Sequence, residues 1–586
     1  MASKSFISQP IYNQDWVVAV TQGSINSTML AYLDTVQQTE MTAIVAYSLE
    51  TGLPALYTLA EFQARSATTQ DIDPFQTGIS PGATPFESDI LSDLYHAGFI
   101  SGLRAKMGIP QPPEDMDEDQ FEAFFANIPD IINLAGDAKR VTFNMLTSSF
   151  KIVALQESVV NGVRDNRWFE VEQQPEEVWQ FQSHVDISKT TVPQEEYQNL
   201  SLDINNRIRE VQQSQRPFSV QKLLLDLTTV SFMDQPTIQG VEPGTKPYLL
   251  LNDHFTNTYF GLMKETGGPL LNVAIVEGPA EISTMPLTNM NIGVNPLLGD
   301  DGQIIEQPTK QQRDLSTLNY LCATGNHPLN LPVTFNWNWI TQAEAGLYHG
   351  VLSINRNTFA EYLQAKLTPY VKTNCLKPSA DIQREHLQQI TLVHGLQRNQ
   401  KPDSITLTTS GTEAVLKYAY HGEDSDVDKN FEFGLKSDYS LELRFAGKQI
   451  QVRQNFKVNM RLQIRFGAEE SGNIVDKTIT DTYTLGVDGT NGRLTARQGE
   501  PVIENHAEDL EFNGWANFFG AGGDANGVVD DIKTWATTVT ATAIRDDPGN
   551  LGHTIQGYLF PGGKTFVFAD VGFSPKQDLV AFLTYV

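Results

Sequence analysis

Apolar residues along the first sixty positions change their spacing twice. Trp16, Val17, Val18, Ala19 and Val20 form a continuous run of strand length, and Leu30, Leu33 and Val36 then recur at helical intervals. Ser24 or Asn26, just ahead of them, is a residue type that caps helices. The stretch "MTAIVAYSLETGLPALYTLAEF" returns to strand-like runs broken at Thr51-Gly52. Residues 69–85 carry turn residues and are expected to be a loop. A helix is predicted from Glu87 to Met107 and another in "DEDQFEAFFANI", with "IPQPPEDMDEDQ" between them as an exposed linker.

From Val141 onward the pattern is that of strands: "VTFNMLTSSFKIVALQESVV", "WQFQSHVDIS" and "FSVQKLLLDLTTVSF". A helix in "NDHFTNTYFGLMKET", ending at Gly267-Gly268, interrupts them. After "LPVTFNWNWI", residues 345–371 repeat the opening plan of a strand followed by a helix, with Phe359, Leu363 and Leu367 on one helical face. Alternating runs follow in "SLELRFAG", "IQVRQNFKVNMRLQIRFG" and "TWATTVTATAI". The chain is therefore an α+β protein with extensive antiparallel sheet and a few long helices. Ser24-Ile25-Asn26 and Ser353-Ile354-Asn355 both stand at the start of a helix, which raises an internal duplication as one reading and shared capping chemistry as the other.

Charge narrows the partners. Seventy acidic against 41 basic residues give a formal net charge of -29, which disfavours nucleic acid and anionic membrane as general partners. Hydrophobic content of 40% is that of a folded chain, and no apolar run reaches the ~20 residues that span a bilayer. "MASKSFISQPIYNQDW" has no continuous apolar core of a signal peptide, so a cytoplasmic location is expected, or release without a conventional signal. Cys322 and Cys375 supply neither a disulfide framework nor a cysteine-type zinc site.

Motifs that would carry chemistry fail on spacing. Gly562-Gly563-Lys564-Thr565 resembles the end of a phosphate loop, but Tyr558 stands where the first glycine is required. The following "TFVFADV" is a strand and not a helix whose N-terminus could face phosphate, so Pro561-Gly562-Gly563 is expected to be a turn. Asp424, Asp426 and Asp428 have calcium-loop spacing, yet Lys429 and Leu435 occupy the glycine and glutamate positions. That run is expected to be a solvated acidic loop. "GAGGDANGVVDD" (520–531) is expected to be a flexible loop, and none of the ten histidines falls in HExxH. No cofactor, metal or catalytic group is called for, and the chain is expected not to be an enzyme.

The stretches "DWVVAVTQGSINSTMLAYL", "LSTLNYLCATGNHPLNLPVTFNWNWI", "HGVLSINRNTFAEYL" and "LFPGGKTFVFADVGFSPKQDLVAFLTYV" resemble, in this order, the OrfX and forty-seven-kilodalton protein family encoded beside botulinum neurotoxins and in insecticidal toxin loci. The resemblance runs from Trp16 to Tyr585. It implies the tubular lipid-binding (TULIP) fold: long twisted antiparallel sheets, each wrapped around a long helix, with two lobes end to end. The wrapped helices would be 24–38 and 353–368. The lobes would be residues 1–340, with inserted helices and loops at about 69–140, and 341–586; loops 69–120 and 285–315 would be insertions. The resemblance implies binding of a lipid or acyl chain, membrane association and an accessory role beside a toxin or another protein, without catalysis. Ile25, Leu30, Leu33, Val36, Ile354, Phe359, Leu363 and Leu367 are the candidate groove residues. A helix face packed on its own sheet, with lobes filled by side chains and loops that dock a partner, is the alternative.

Overall fold

The computed structural model describes residues 4–35, 40–232, 254–408, 414–508, 522–536 and 566–585, apart from shorter stretches inside those ranges. At its centre is a six-stranded antiparallel sheet. Its strands, in spatial order, are Asn289–Asn295, Thr317–Ala323, Trp16–Thr21, Gly350–Ile354, Leu579–Tyr585 and Phe566–Phe573. The continuous apolar runs are explained by burial on both faces. Trp16, Val18, Val20, Leu352 and Ile354 enter the main core, while Val17, Ala19, Val351, Val580 and Phe582 lie under Tyr12, Phe335, Trp337 and Trp339.

The sheet has the same plan from either end. Its two middle strands run antiparallel, with Trp16 opposite Ile354 and Val18 opposite Leu352, and each leads into a helix. Beside each middle strand lies the last strand of the same half of the chain, and beyond that the strand before it. The matching plan does not follow the Ser-Ile-Asn triplets. Ser24 to Asn26 lie inside the first helix, Gln22–Thr35, whereas Ser353 and Ile354 end a strand and Asn355 caps the second helix, Arg356–Asn374. Counted from Trp16 and Gly350, the positions that match are Ile25, Met29 and Leu33 against Phe359, Leu363 and Leu367, all buried. Met29 therefore replaces Leu30 in the inward stripe; Leu30 is half-buried, and Val36 lies outside the described residues. Neither expected cap of the first helix caps it. Ser24 Oγ donates to the His349 carbonyl at 3.1 Å, and Asn26 exchanges two hydrogen bonds with the Ile132 backbone at 2.8 and 3.0 Å.

Each half also contributes a long meander. In the first half nine strands form one sheet, whose main path runs from Leu270–Glu277 to Pro54–Tyr57. The helix expected over 87–107 is cut short there: Asp89–His96 is helical, Gly98 at φ +73° turns the chain, and Phe99–Met107 is a strand. The 69–120 region is packed, with Phe62, Phe75, Leu91, Leu94, Phe99 and Trp168 in a core of their own. The 285–315 region contains the edge strand Asn289–Asn295 of the central sheet and is not merely a loop.

In the second half a seven-stranded sheet runs from Ser404–Leu407 to Leu494–Gln498. Its long strands Phe431–Ala446 and Gln449–Ile464 alternate buried and exposed residues, one face on the core and one in water. The acidic run is not a loop, since Asp424 and Asp426 lie in the strand Leu416–Val427. The expected glycine-rich loop is likewise a helix, Gly522–Ala536, which buries Ala525, Val528, Val529, Ile532 and Ala536 and absorbs the start of "TWATTVTATAI". The remainder of that run and the Pro561-Gly562-Gly563-Lys564 turn lie outside the described residues.

Candidate functional site

The apolar core of the second half includes one face of the Arg356–Asn374 helix. Asn355 caps it by accepting from the Asn357 amide, and an i, i+4, i+8 spacing turns Phe359, Leu363 and Leu367 to one side, each no more than 3% exposed. Phe359 packs on Phe445 at 5.3 Å between ring centres, and Phe445 stacks on Phe573 at 4.5 Å. Leu416, Leu435, Leu441, Val458 and Val528 belong to the same continuous core. Toward the helix C-terminus the lining becomes polar. Tyr370 Oη and Tyr439 Oη donate to Gln454 Oε1 at 2.8 and 2.9 Å, and Gln454 and Gln498 donate to the two oxygens of the buried Asp481 at 3.4 and 3.3 Å. Burial pushes the Tyr370 hydroxyl up to about 12, so it remains a donor at neutral pH. The chemistry on offer is an aliphatic and aromatic wall with a hydroxyl and amide group at one end.

The first helix has a matching apolar face in Ile25, Met29 and Leu33, all no more than 4% exposed. Ile354 is equally buried but belongs to the central sheet, not to the helix. At the helix start Gln22 donates to Asp130 Oδ2 at 3.2 Å and accepts from the Leu134 amide at 2.7 Å. Asp314 stands beside it, its carboxyl raised to about 6 by burial and then by the Asp130 charge. A Cβ on Gly23 would come within 3.3 Å of the Asp314 Cγ, so helix backbone packs directly on this carboxyl and leaves no cleft there.

Two polar clusters, not foreseen from sequence, join the halves. Asp15 accepts from Thr358 Oγ1 at 2.6 Å, the Thr324 amide at 2.7 Å and His327 Nε2 at 2.7 Å, so one carboxylate ties the first strand to a turn and to the long helix. On the other side of that helix start, buried Asp578 accepts from the Arg356 amide and Ser5 Oγ, both at 3.1 Å. Arg356, 3% exposed, donates its guanidinium to Gln577 Oε1 at 3.2 Å and to the Thr408 carbonyl. Apart from Arg356 and Thr408, 52 positions apart, these partners lie more than two hundred positions apart in the chain, which is why no local pattern signals them.

A polar groove of about 330 Å³ lies on the solvent side of the second sheet over Gly434, lined by Glu423, Glu432, Lys436 and Arg461. Its charges are already paired, Lys436 with Glu423 at 3.2 Å and Arg461 with Glu432 at 3.3 Å. Among the described residues no group of three His, Cys, Asp or Glu side chains is placed to hold a metal, and no helix is long and apolar enough to cross a membrane.

No family model matches the chain, and no curated protein matches it. Among solved structures it is similar to a lipopolysaccharide binding protein, at 9% identity over 98% of this chain and 99% of that one, with a TM-score of 0.27. At that score the likeness carries no argument for fold or function.

Proposed function

We propose that the chain is a non-enzymatic binder of an apolar, chain-like molecule of the lipid class. The observation that carries this reading is the long helix laid inside a seven-stranded sheet, with Phe359, Leu363 and Leu367 facing a continuous aliphatic and aromatic interior that ends in the Tyr370, Gln454 and Asp481 group. The chemistry of the first part suits an acyl chain and that of the second a hydroxylated or amide-bearing end. The TULIP architecture, the two lobes at 1–340 and 341–586 and an accessory role beside a toxin rest on the sequence resemblance, and are proposed with it.

The test is mass spectrometry of lipids extracted from purified protein beside a mock preparation. A stoichiometric lipid supports the reading; an empty protein that also takes none from vesicles refutes it. One observation favours a second reading. The candidate groove residues Ile25, Leu33, Ile354, Phe359, Leu363 and Leu367 are all no more than 4% exposed, as in lobes filled by their own side chains. Such a protein would act by docking a partner through its loops, and an empty protein in the lipid assay would favour it.

A further inference from the structure

The wall around the long helix is joined in two different ways. From Ser404–Leu407 to Leu494–Gln498 the strands bond edge to edge through peptide groups. The hairpin Lys377–His386 and Gln389–Gln397 packs against Leu416–Val427, yet it is a separate two-stranded sheet and, among the described residues, has no peptide ladder to that strand.

Side chains make the joint instead. Asp424 Oδ2 accepts from the Ala380 amide at 2.9 Å, and Asp426 Oδ2 from the Ile382 amide at 2.9 Å. Asp428 Oδ2 accepts from Arg384 Nη2 at 2.7 Å and Nε at 2.9 Å. Antiparallel pairing leaves every second amide of an edge strand pointing outward, and aspartates at every second position supply the matching acceptors. The spacing that resembles a calcium loop is thus the spacing of this seam. Gly422 permits the approach, because a Cβ there would lie 3.0 Å from the Leu376 carbonyl oxygen and 3.0 Å from Pro378 Cδ. Across from the seam the hairpin meets the Gly522–Ala536 helix, where His394 Nε2 is 3.6 Å from Asp531 Oδ2. Lys477 Nζ donates to the Ala536 carbonyl at 2.9 Å and ties that helix back to the sheet.

A wall closed by carboxylates has rotatable side chains between its backbones, and at its exposed end water competes for the acceptors. Such a joint opens at lower cost than a peptide ladder. Behind it, Ala380, Ile390 and Leu392 are in the same core as Phe359, Leu363 and Leu367.

We propose that the seam between the 377–397 hairpin and the Leu416–Val427 strand is a lateral gate, through which an apolar chain reaches the long helix. The identity of the cargo rests on the function proposed above; the opening itself does not.

Hydrogen exchange read by mass spectrometry tests the opening. The 377–386 peptide is expected to exchange ahead of peptides from Phe431–Ala446 and Gln449–Ile464. In the Asp424→Ala/Asp426→Ala variant it should exchange about tenfold faster still, the size of a lost charge-assisted hydrogen bond. The Asp424→Asn/Asp426→Asn variant keeps a neutral acceptor and should exchange at a rate between the natural protein and the alanine variant. Passage is tested with Arg384→Cys/Asp428→Cys joined by a short bis-maleimide, using a fluorescent fatty acid supplied in phosphatidylcholine vesicles. Natural Cys375 is buried and its thiol is pushed up to about 12, chiefly by burial, so it will not compete. Uptake slowed about tenfold or more by the linker supports the gate, on the scale of closing the main route. Undiminished uptake with the seam tied, or a hairpin that exchanges no earlier than the sheet strands, overturns the gate alone. Early, aspartate-dependent exchange with no uptake by the unmodified protein instead overturns the lipid reading, and the gate's cargo with it.

Discussion

His327 and Asp15 allow a prediction with a definite sign in pH. The imidazole has Nε2 2.7 Å from Asp15 Oδ2 and Nδ1 3.2 Å from the Pro328 carbonyl oxygen, two acceptors that only the doubly protonated ring can satisfy together. Burial lowers its pKa, but these bonds and the Asp15 charge outweigh burial and leave it raised. The half-buried Glu361 carboxyl also interacts with Asp15, and is raised chiefly by burial and then by the Asp15 charge. A histidine raised in the folded state contributes stability that is fully present below its unfolded pKa and lost as pH rises through the folded one. The side chain is 38% exposed, so solvent screening limits this contribution to about 1 kcal/mol. Urea unfolding of the natural protein and His327→Gln from pH 5 to 9 should show a stability gap of about that size at pH 5 that narrows as pH rises above the ordinary histidine range. Asp15→Ala should cost more, about 2–4 kcal/mol, because the Thr324 amide and Thr358 hydroxyl lose their acceptor as well. A His327→Gln gap that is flat across this range, or that widens with pH, would refute the reasoning.

Three further outcomes are expected. Leu363→Ala, at 2% exposure in the long helix, should cost about 2–4 kcal/mol, whereas half-buried Leu30→Ala should cost less than about 1.5, both read from denaturant midpoints. Gly422→Val should destabilise by about 1–3 kcal/mol through contact with the Leu376 carbonyl and Pro378, and should loosen the hairpin before the rest of the sheet in hydrogen exchange. Cys322 and Cys375 are both buried, so a thiol reagent should modify neither in the native protein and both after denaturation.

The meander strands were legible because water leaves its mark on them. Phe431–Ala446 and Gln449–Ile464 each have one wet face, so their apolar residues alternate. The central strands were legible as continuous runs because both faces are covered. The helix Gly522–Ala536 was hidden, since three glycines and the acidic residues Asp524, Asp530 and Asp531 mask the Ala525, Val528, Val529, Ile532 and Ala536 stripe. The helix expected over 87–107 ran too far because "FISGLRAKM" contains good helix formers, and tertiary pairing with Glu40–Tyr47 and Arg140–Val160 overrides that preference. Of the candidate site, the stripe on the long helix could be read from its spacing. The seam could not, because Asp424 and Asp426 meet amides 44 positions away and nothing local distinguishes them from surface acids.

The antiparallel pairing of Trp16–Thr21 with Gly350–Ile354 has a further consequence. Two strands that cross head to tail about a shared midpoint, each flanked by the same succession of neighbours, form the isologous contact of a twofold dimer. Within the central sheet the two sides are arranged as the two faces of such a contact, carried by one polypeptide. Each half on its own would end in a bare, apolar strand edge, so neither could be a finished protein without a partner at that edge. Within one chain that pairing is permanent and independent of concentration. Beyond that contact the two sides need not match: one continues into a nine-stranded sheet and the other into a seven-stranded sheet with its hairpin.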